Sequence, residues 1–182
     1  VLAQPGSPFP LQRLAQLYRE KDGNITGLVK DFETRAAQTG PEQYASIVTL
    51  AGVYKIDGRG DEALKTYERA IAMKQNDAVA LVALARLLQD RADAKGARAR
   101  YEQALALQTL PADREQTLRT LMTLALDAKD FGGAKGYHDK LLASGKGSLF
   151  VKAELARELY TRAEYERAAV EFAGREPGGE RR

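Results

Sequence analysis

His138 is the one histidine of this 182-residue chain, and so the one side chain of ordinary chemistry that exchanges protons near neutral pH. Acyl transfer would need a nucleophile beside it and an acid to orient it. Its neighbours at helical spacing are Ala134 and Leu141, which supply neither. His138 therefore reads as a packing residue. Gly145-Lys146-Gly147-Ser148 has the flavour of a phosphate loop, but it lacks the first glycine and the strand before it. It reads as a linker with a helix start at Ser148, a helix N-terminus at which an anion could sit. Arg59-Gly60-Asp61 spells an adhesion tripeptide, yet it falls at a turn, where Gly and Asp have structural uses. Cysteine is absent, which excludes disulfides and thiolate metal sites. The residues predict no catalytic site, no metal and no cofactor.

The elements that would hold these side chains follow from composition and spacing. Hydrophobic residues are 44% of the chain and charged residues 29%, enough for a packed core with a solvated surface. The prolines stand at 5, 8, 10, 41, 111 and 177, leaving long stretches free for helix. No apolar run approaches the roughly 20 residues needed to span a bilayer. The net charge of +3 admits an acidic partner without pointing to nucleic acid. Val1-Leu2-Ala3-Gln4 fits either the remnant of a cleaved signal peptide, hence an exported or periplasmic protein, or a plain chain boundary in a cytoplasmic one.

The sequence also repeats itself. Leu50 and Leu84, Ala51 and Ala85, Ala63 and Ala97, Tyr67 and Tyr101, and Ala70 and Ala104 each stand 34 residues apart. Ile47, Leu50, Ala51 and Tyr54 form one apolar stripe of a helix. Gly58 and Gly60 then break it, and Asp61 is placed to cap the next helix. The small residues Ala51, Ala63 and Ala70 mark close helix approach. A weaker copy has Leu118, Leu121 and Met122, with Phe131 in its turn. It starts late, because residues 109–114 add about a turn of helix, with Asp113 and Gln116 as a capping pair. A further copy has Leu155, Ala156, Leu159, Ala163, Tyr165, Ala168 and Phe172. Tyr67, Tyr101, Tyr165 and Phe172 read as packing residues.

This pattern of Leu-Ala, aromatic, then Ala-x-x-x-Tyr-x-x-Ala at a 34-residue period resembles the tetratricopeptide repeat, TPR. The resemblance covers four good or moderate repeats plus a degenerate first one, in which Leu11, Leu14, Ala15 and Tyr18 fit a first helix and Gly27 replaces an alanine. It implies an all-α solenoid, a right-handed superhelix of ten helices in stacked antiparallel pairs. The array would run over 10–173, in repeats of about 10–43, 44–77, 78–111, 112–148 and 149–173. Disordered tails are expected at 1–9 and 174–182.

For function, the resemblance implies a non-catalytic scaffold that holds a protein or peptide in a concave groove, or docks within a larger assembly. The groove positions would be Val48, Gly52, Lys55; Val82, Arg86, Gln89; Arg119, Thr123, Leu126; and Ala153, Arg157, Tyr160. Lys55, Arg86, Gln89, Arg119, Thr123, Arg157 and Tyr160 are the candidate contacts. Lys55, Arg86, Arg119 and Arg157 are cationic and no position is acidic, which suits an acidic partner. The carboxylate clamp of chaperone-binding members is missing, since Val48, Gly52 and Ala83 stand where it needs Lys and Asn. An alternative is an RNA-binding helical array. That would need paired specificity residues, and Val48, Val82, Arg119 and Ala153 show no such code. A second alternative is a self-associating piece of a longer array, because Val170 and Phe172 end the last helix without a solvating helix after them.

Overall fold

The structure, a computed structural model, describes residues 1–144 and 149–173. Residues 145–148 and 174–182, read from the sequence as a linker and a disordered tail, lie outside the described residues. Within those described, the chain is helical throughout and contains no strand. It divides into two compact bodies, Val1–Gln108 and Thr109 onward.

The first body holds α1 (Pro8–Asp22), α2 (Thr26–Ala37), α3 (Gln43–Ile56), α4 (Gly60–Met73), α5 (Ala78–Asp90) and α6 (Ala94–Leu107). Helices α3 and α4 form one tight pair, and α5 and α6 another. Alanine makes the pairing close: Ala51, Ala63, Ala70, Ala85, Ala97 and Ala104 are all fully buried. Tyr67 and Tyr101 fill the same place in successive pairs, 34 residues apart and each 4% exposed. The second body holds α7 (Pro111–Asp127), α8 (Phe131–Ala143), α9 (Leu149–Lys152), α10 (Glu154–Thr161) and α11 (Tyr165–Ala173). Here α7 pairs with α8 and α10 with α11.

Each pair turns through one left-handed residue. Gly58 occupies that position in the first complete pair, with φ 80°. In the later pairs Ala92, Lys129 and Ala163 take it, at φ 59°, 57° and 61°. Only Gly58 adopts this conformation without a Cβ clash.

Several details differ from the sequence reading. Asp61 does not cap α4; it lies in the first turn and pairs with Arg91 at 2.7 Å, while Arg59 stands at the cap without a side-chain capping bond. Asp77, Asp93 and Asp130 are the aspartates that cap, accepting from the N–H groups of Val79, Gly96 and Gly133. Asp113 likewise sits inside a first turn, because Pro111 opens α7 one turn early. Phe131 begins α8 rather than sitting in the turn. The first helix of the last pair is interrupted at Ala153, so eleven helical segments occur among the described residues where ten were expected. The bonds from Ala153 N–H to the Leu149 carbonyl and from Arg157 N–H to that of Ala153 carry helical geometry across the break. Val1–Phe9, expected as a disordered tail, holds a turn closed by Gln4 N–H on the Val1 carbonyl and then the opening of α1; Val1 and Leu2 pack against the core. Tyr165 and Phe172, expected in the packing, are 59% and 45% exposed.

Candidate functional site

Two faces carry the groove positions, one in each body. In the first body they project from α3 and α5. Helix α3 is buried from Ser46 to Tyr54 on every side, as a helix apolar all round should be. Val48 and Gly52 are therefore covered, not presented to solvent. The cover is α1, whose Leu11 side chain lies directly over Gly52. Sequence reasoning missed this segment. The available signal was Gly52 itself, a glycine in mid-helix, which marks a close approach.

Lys55 and Arg86 line one cleft with Gly6, Ser7, Pro8, Leu11 and Tyr67. The Lys55 ammonium binds the Asp90 carboxylate at 2.5 Å, so part of its charge is spent within the fold. Arg86 has no carboxylate within ion-pair distance among the described residues. It lies beside the Tyr67 and Tyr101 hydroxyls and hydrogen-bonds to the latter. Tyr101 O–H in turn donates to Gln89 Oε1 at 2.7 Å. Burial pushes the Tyr67 hydroxyl up to about 12, with Arg86 pulling the other way. Burial also raises Tyr101, again against Arg86.

In the second body Arg119 of α7 binds Glu154 of α10 at 2.9 Å, and Glu115 one turn back at 3.6 Å. Arg157 donates to the Phe150 carbonyl at 3.0 Å and stacks 4.0 Å above the Phe150 ring. Tyr160 is 61% exposed and meets Tyr165 edge-on at 5.2 Å between ring centres. Thr123 is half-buried. The structure thus brings Lys55 and Arg86 to one cleft, and links Arg119 to α10 through Glu154. The acids Asp90 and Glu154, which flank the cationic positions in sequence, pair with Lys55 and Arg119.

The other candidates resolve into structure. His138 is fully buried, with Nε2 2.8 Å from the Val151 carbonyl. Arg59 pairs with Glu62 and stacks on the Tyr54 ring, and Asp61 holds Arg91. No cluster of metal-ligating side chains occurs among the described residues.

The arrangement of helices has counterparts among solved structures. A tetratricopeptide repeat protein of Parabacteroides merdae superposes with a TM-score of 0.67 at 18% identity, over 91% of this chain; the chain spans 64% of that one. The nearly identical TPR-like repeats assigned to a kinesin light chain of Podosopora anserina give 0.66 at 19% identity, over 93% of both chains. The chain has the tetratricopeptide-repeat fold. MamA gives 0.62 at 14% identity, over 85% of this chain and 88% of that one. No protein-family model matches the chain, and no curated protein matches it. TPR folds serve in general as protein-interaction scaffolds, and no helix among the described residues is long and apolar enough to cross a membrane.

Proposed function

We propose that this chain is a non-catalytic TPR scaffold that holds a protein or peptide against the inner faces of its first helices. The observation that carries this reading is the face of α3 and α5 beneath α1, where Val48, Gly52 and Ala83 line a cleft together with Lys55 and Arg86. His138 supports the non-catalytic part, since it is buried against a backbone carbonyl. The partner's contacts are Lys55, Arg86 and Gln89 in the first body, and Arg119, Thr123, Arg157 and Tyr160 in the second. Because Asp90 and Glu154 offset Lys55 and Arg119, attraction to an acidic partner rests mainly on Arg86 and Arg157.

The test places a photo-cross-linking residue at Val82, on the inner face of α5, and at Lys65, exposed on α4. A protein captured at Val82 and not at Lys65 supports the reading. Capture at Lys65 alone removes the groove. Binding of a mixed single-stranded RNA pool that falls steeply with salt would favour the nucleic-acid alternative instead.

A second reading is self-association through α11. Tyr165, Val170 and Phe172 are exposed there, beside a broad open depression of about 860 Å³ that also includes Leu155 and Leu159. Sedimentation velocity over a hundredfold concentration range, comparing the chain with a Val170→Glu/Phe172→Glu variant, decides it. A concentration-dependent shift that the variant loses supports self-association; a single monomeric boundary overturns it.

A further inference from the structure

Helix α1 does not pair with α2 in the way that α3 pairs with α4. It packs mainly on α3, along the very face that lines the groove in a TPR. Leu11 enters the space above Gly52, and Ala15 is fully buried one turn on. The turn before the helix extends the contact to α5. A Cβ built on Gly6 would stand 3.1 Å from Val79 Cγ1, 3.6 Å from Val48 Cγ1 and 3.7 Å from Ala83 Cβ. A segment of the chain is thus seated where a bound peptide belongs.

Its attachment is modest: Tyr18 O–H donates to Asp31 at 2.6 Å and Arg19 to the Ile56 carbonyl at 3.3 Å, both at exposed positions, and Leu14 and Tyr18 pack partly against the core. Leu11 and Ala15 are the residues of α1 that are buried, whereas Phe9 and Leu17 are 78% and 45% exposed. The Ser7 side chain makes no capping bond, and the first turn carries no acid. A void of about 70 Å³ remains between α1 and the floor. The helix ends at Gly23 in the left-handed conformation, a natural pivot before α2. Helix α2 has its own extensive packing on α3, through Leu28, Val29 and Phe32. Release of α1 therefore leaves the contacts among α2, α3, α4, α5 and α6 in place.

We propose that α1 is the resident ligand of this groove, and that the groove's partner is an amphipathic helix of the same shape which displaces it. The inference rests on the groove reading above and names the partner's chemistry. A leucine must enter over Gly52, where the bare backbone admits the Leu11 side chain, and the resident helix sets a small residue, the fully buried Ala15, four positions later. Gln12 is the polar side chain that α1 contributes to the cleft holding Lys55 and Arg86. A partner with an acid at that place gains an ion pair with Arg86 that α1 lacks, and so wins the exchange.

The experiment uses the full chain and a fluorescent peptide with the sequence of residues 4–22. The chain carrying Leu11→Asp and Ala15→Asp, which frees the groove, binds the peptide at least tenfold tighter than the wild type by anisotropy. Adding Gly52→Leu returns binding to the wild-type level. A peptide carrying Gln12→Glu binds several-fold tighter than its parent, and Arg86→Gln in the chain removes that gain. A freed chain that keeps its helical circular dichroism but gains no affinity overturns the proposal. Should the freed chain lose its fold, hydrogen exchange of the wild type decides. Amides of α1 exchanging at least tenfold faster than those of α3 support a displaceable helix; equal protection overturns it. A protected α1 together with a protein captured at Val82 would remove the resident ligand and leave the scaffold reading standing. Peptide binding with no captured protein would do the reverse.

Discussion

Leu11 and Gly52 are complementary by subtraction: a Cβ on Gly52 would stand 2.5 Å from Leu11 Cδ2, a distance no packed pair tolerates. The missing side chain on α3 is what admits α1. Gly52→Leu should therefore cost about 1–3 kcal/mol through overpacking. Combined with Leu11→Ala, the loss should be well below the sum of the two single losses, since the small residue restores the space. Urea denaturation of the four chains measures the coupling; strictly additive losses would mean that the two residues do not meet.

Ala63 and Ala97 are fully buried at equivalent places in successive pairs. Ala63→Leu or Ala97→Leu is expected to destabilise by about 1–3 kcal/mol. The exposed Ala72 tolerates the same change within about 0.5 kcal/mol. Denaturant midpoints check the contrast, and a tolerant Ala63 would contradict the close α3–α4 approach.

Ala92 turns the α5–α6 pair at φ 59°, where its counterpart Gly58 turns α3–α4 without strain. Ala92→Gly should raise stability by about 0.5–1 kcal/mol, the relief of left-handed strain outweighing the added freedom of the unfolded chain. Thermal denaturation reads this as a rise in Tm; a fall would show that unfolded-state entropy dominates.

The cations of the two bodies should respond differently to charge reversal. Arg86→Glu breaks no ion pair among the described residues and is expected to weaken an acidic partner several-fold with little loss of stability. Arg119→Glu faces Glu115 and Glu154 and should cost about 1–2 kcal/mol on its own. Calorimetric unfolding alongside binding separates the effects. Unchanged stability in Arg119→Glu would mean that the pair to Glu154 contributes nothing.

Tyr67 makes the fold sensitive to alkali. Its hydroxyl ionises near 10 when the chain is unfolded, and burial holds it at about 12 in the fold. The folded state favours the neutral form, so this stability is fully present below pH 10 and is lost as pH rises through 12. The loss is on the order of 2–3 kcal/mol, and Tyr67→Phe should remove most of that share. Stability measured between pH 9 and 12 in both chains provides the comparison; parallel curves would place the sensitivity elsewhere.

The sequence by itself determined the helical pairs. A 34-residue spacing of Ala63, Tyr67 and Ala70 against Ala97, Tyr101 and Ala104 specifies which faces meet, because small and aromatic residues at helical intervals have one way to interlock. Local turn chemistry was less legible. Ala92, Lys129 and Ala163 adopt left-handed turns that no residue preference foretells, and the surrounding pair geometry imposes them. The groove was legible only as a list of positions. Asp90 and Glu154 read as acids flanking the cationic positions, but that they reach Lys55 and Arg119 from neighbouring helices is a pairing no single-helix pattern encodes. The place of α1 was decided by tertiary structure alone. Leu11, Leu14, Ala15 and Tyr18 carry the stripe of an ordinary first helix, and that stripe serves equally well against α2 or across α3. Gly52 settles it, because burying Leu11 over a bare backbone excludes water from both at no steric cost.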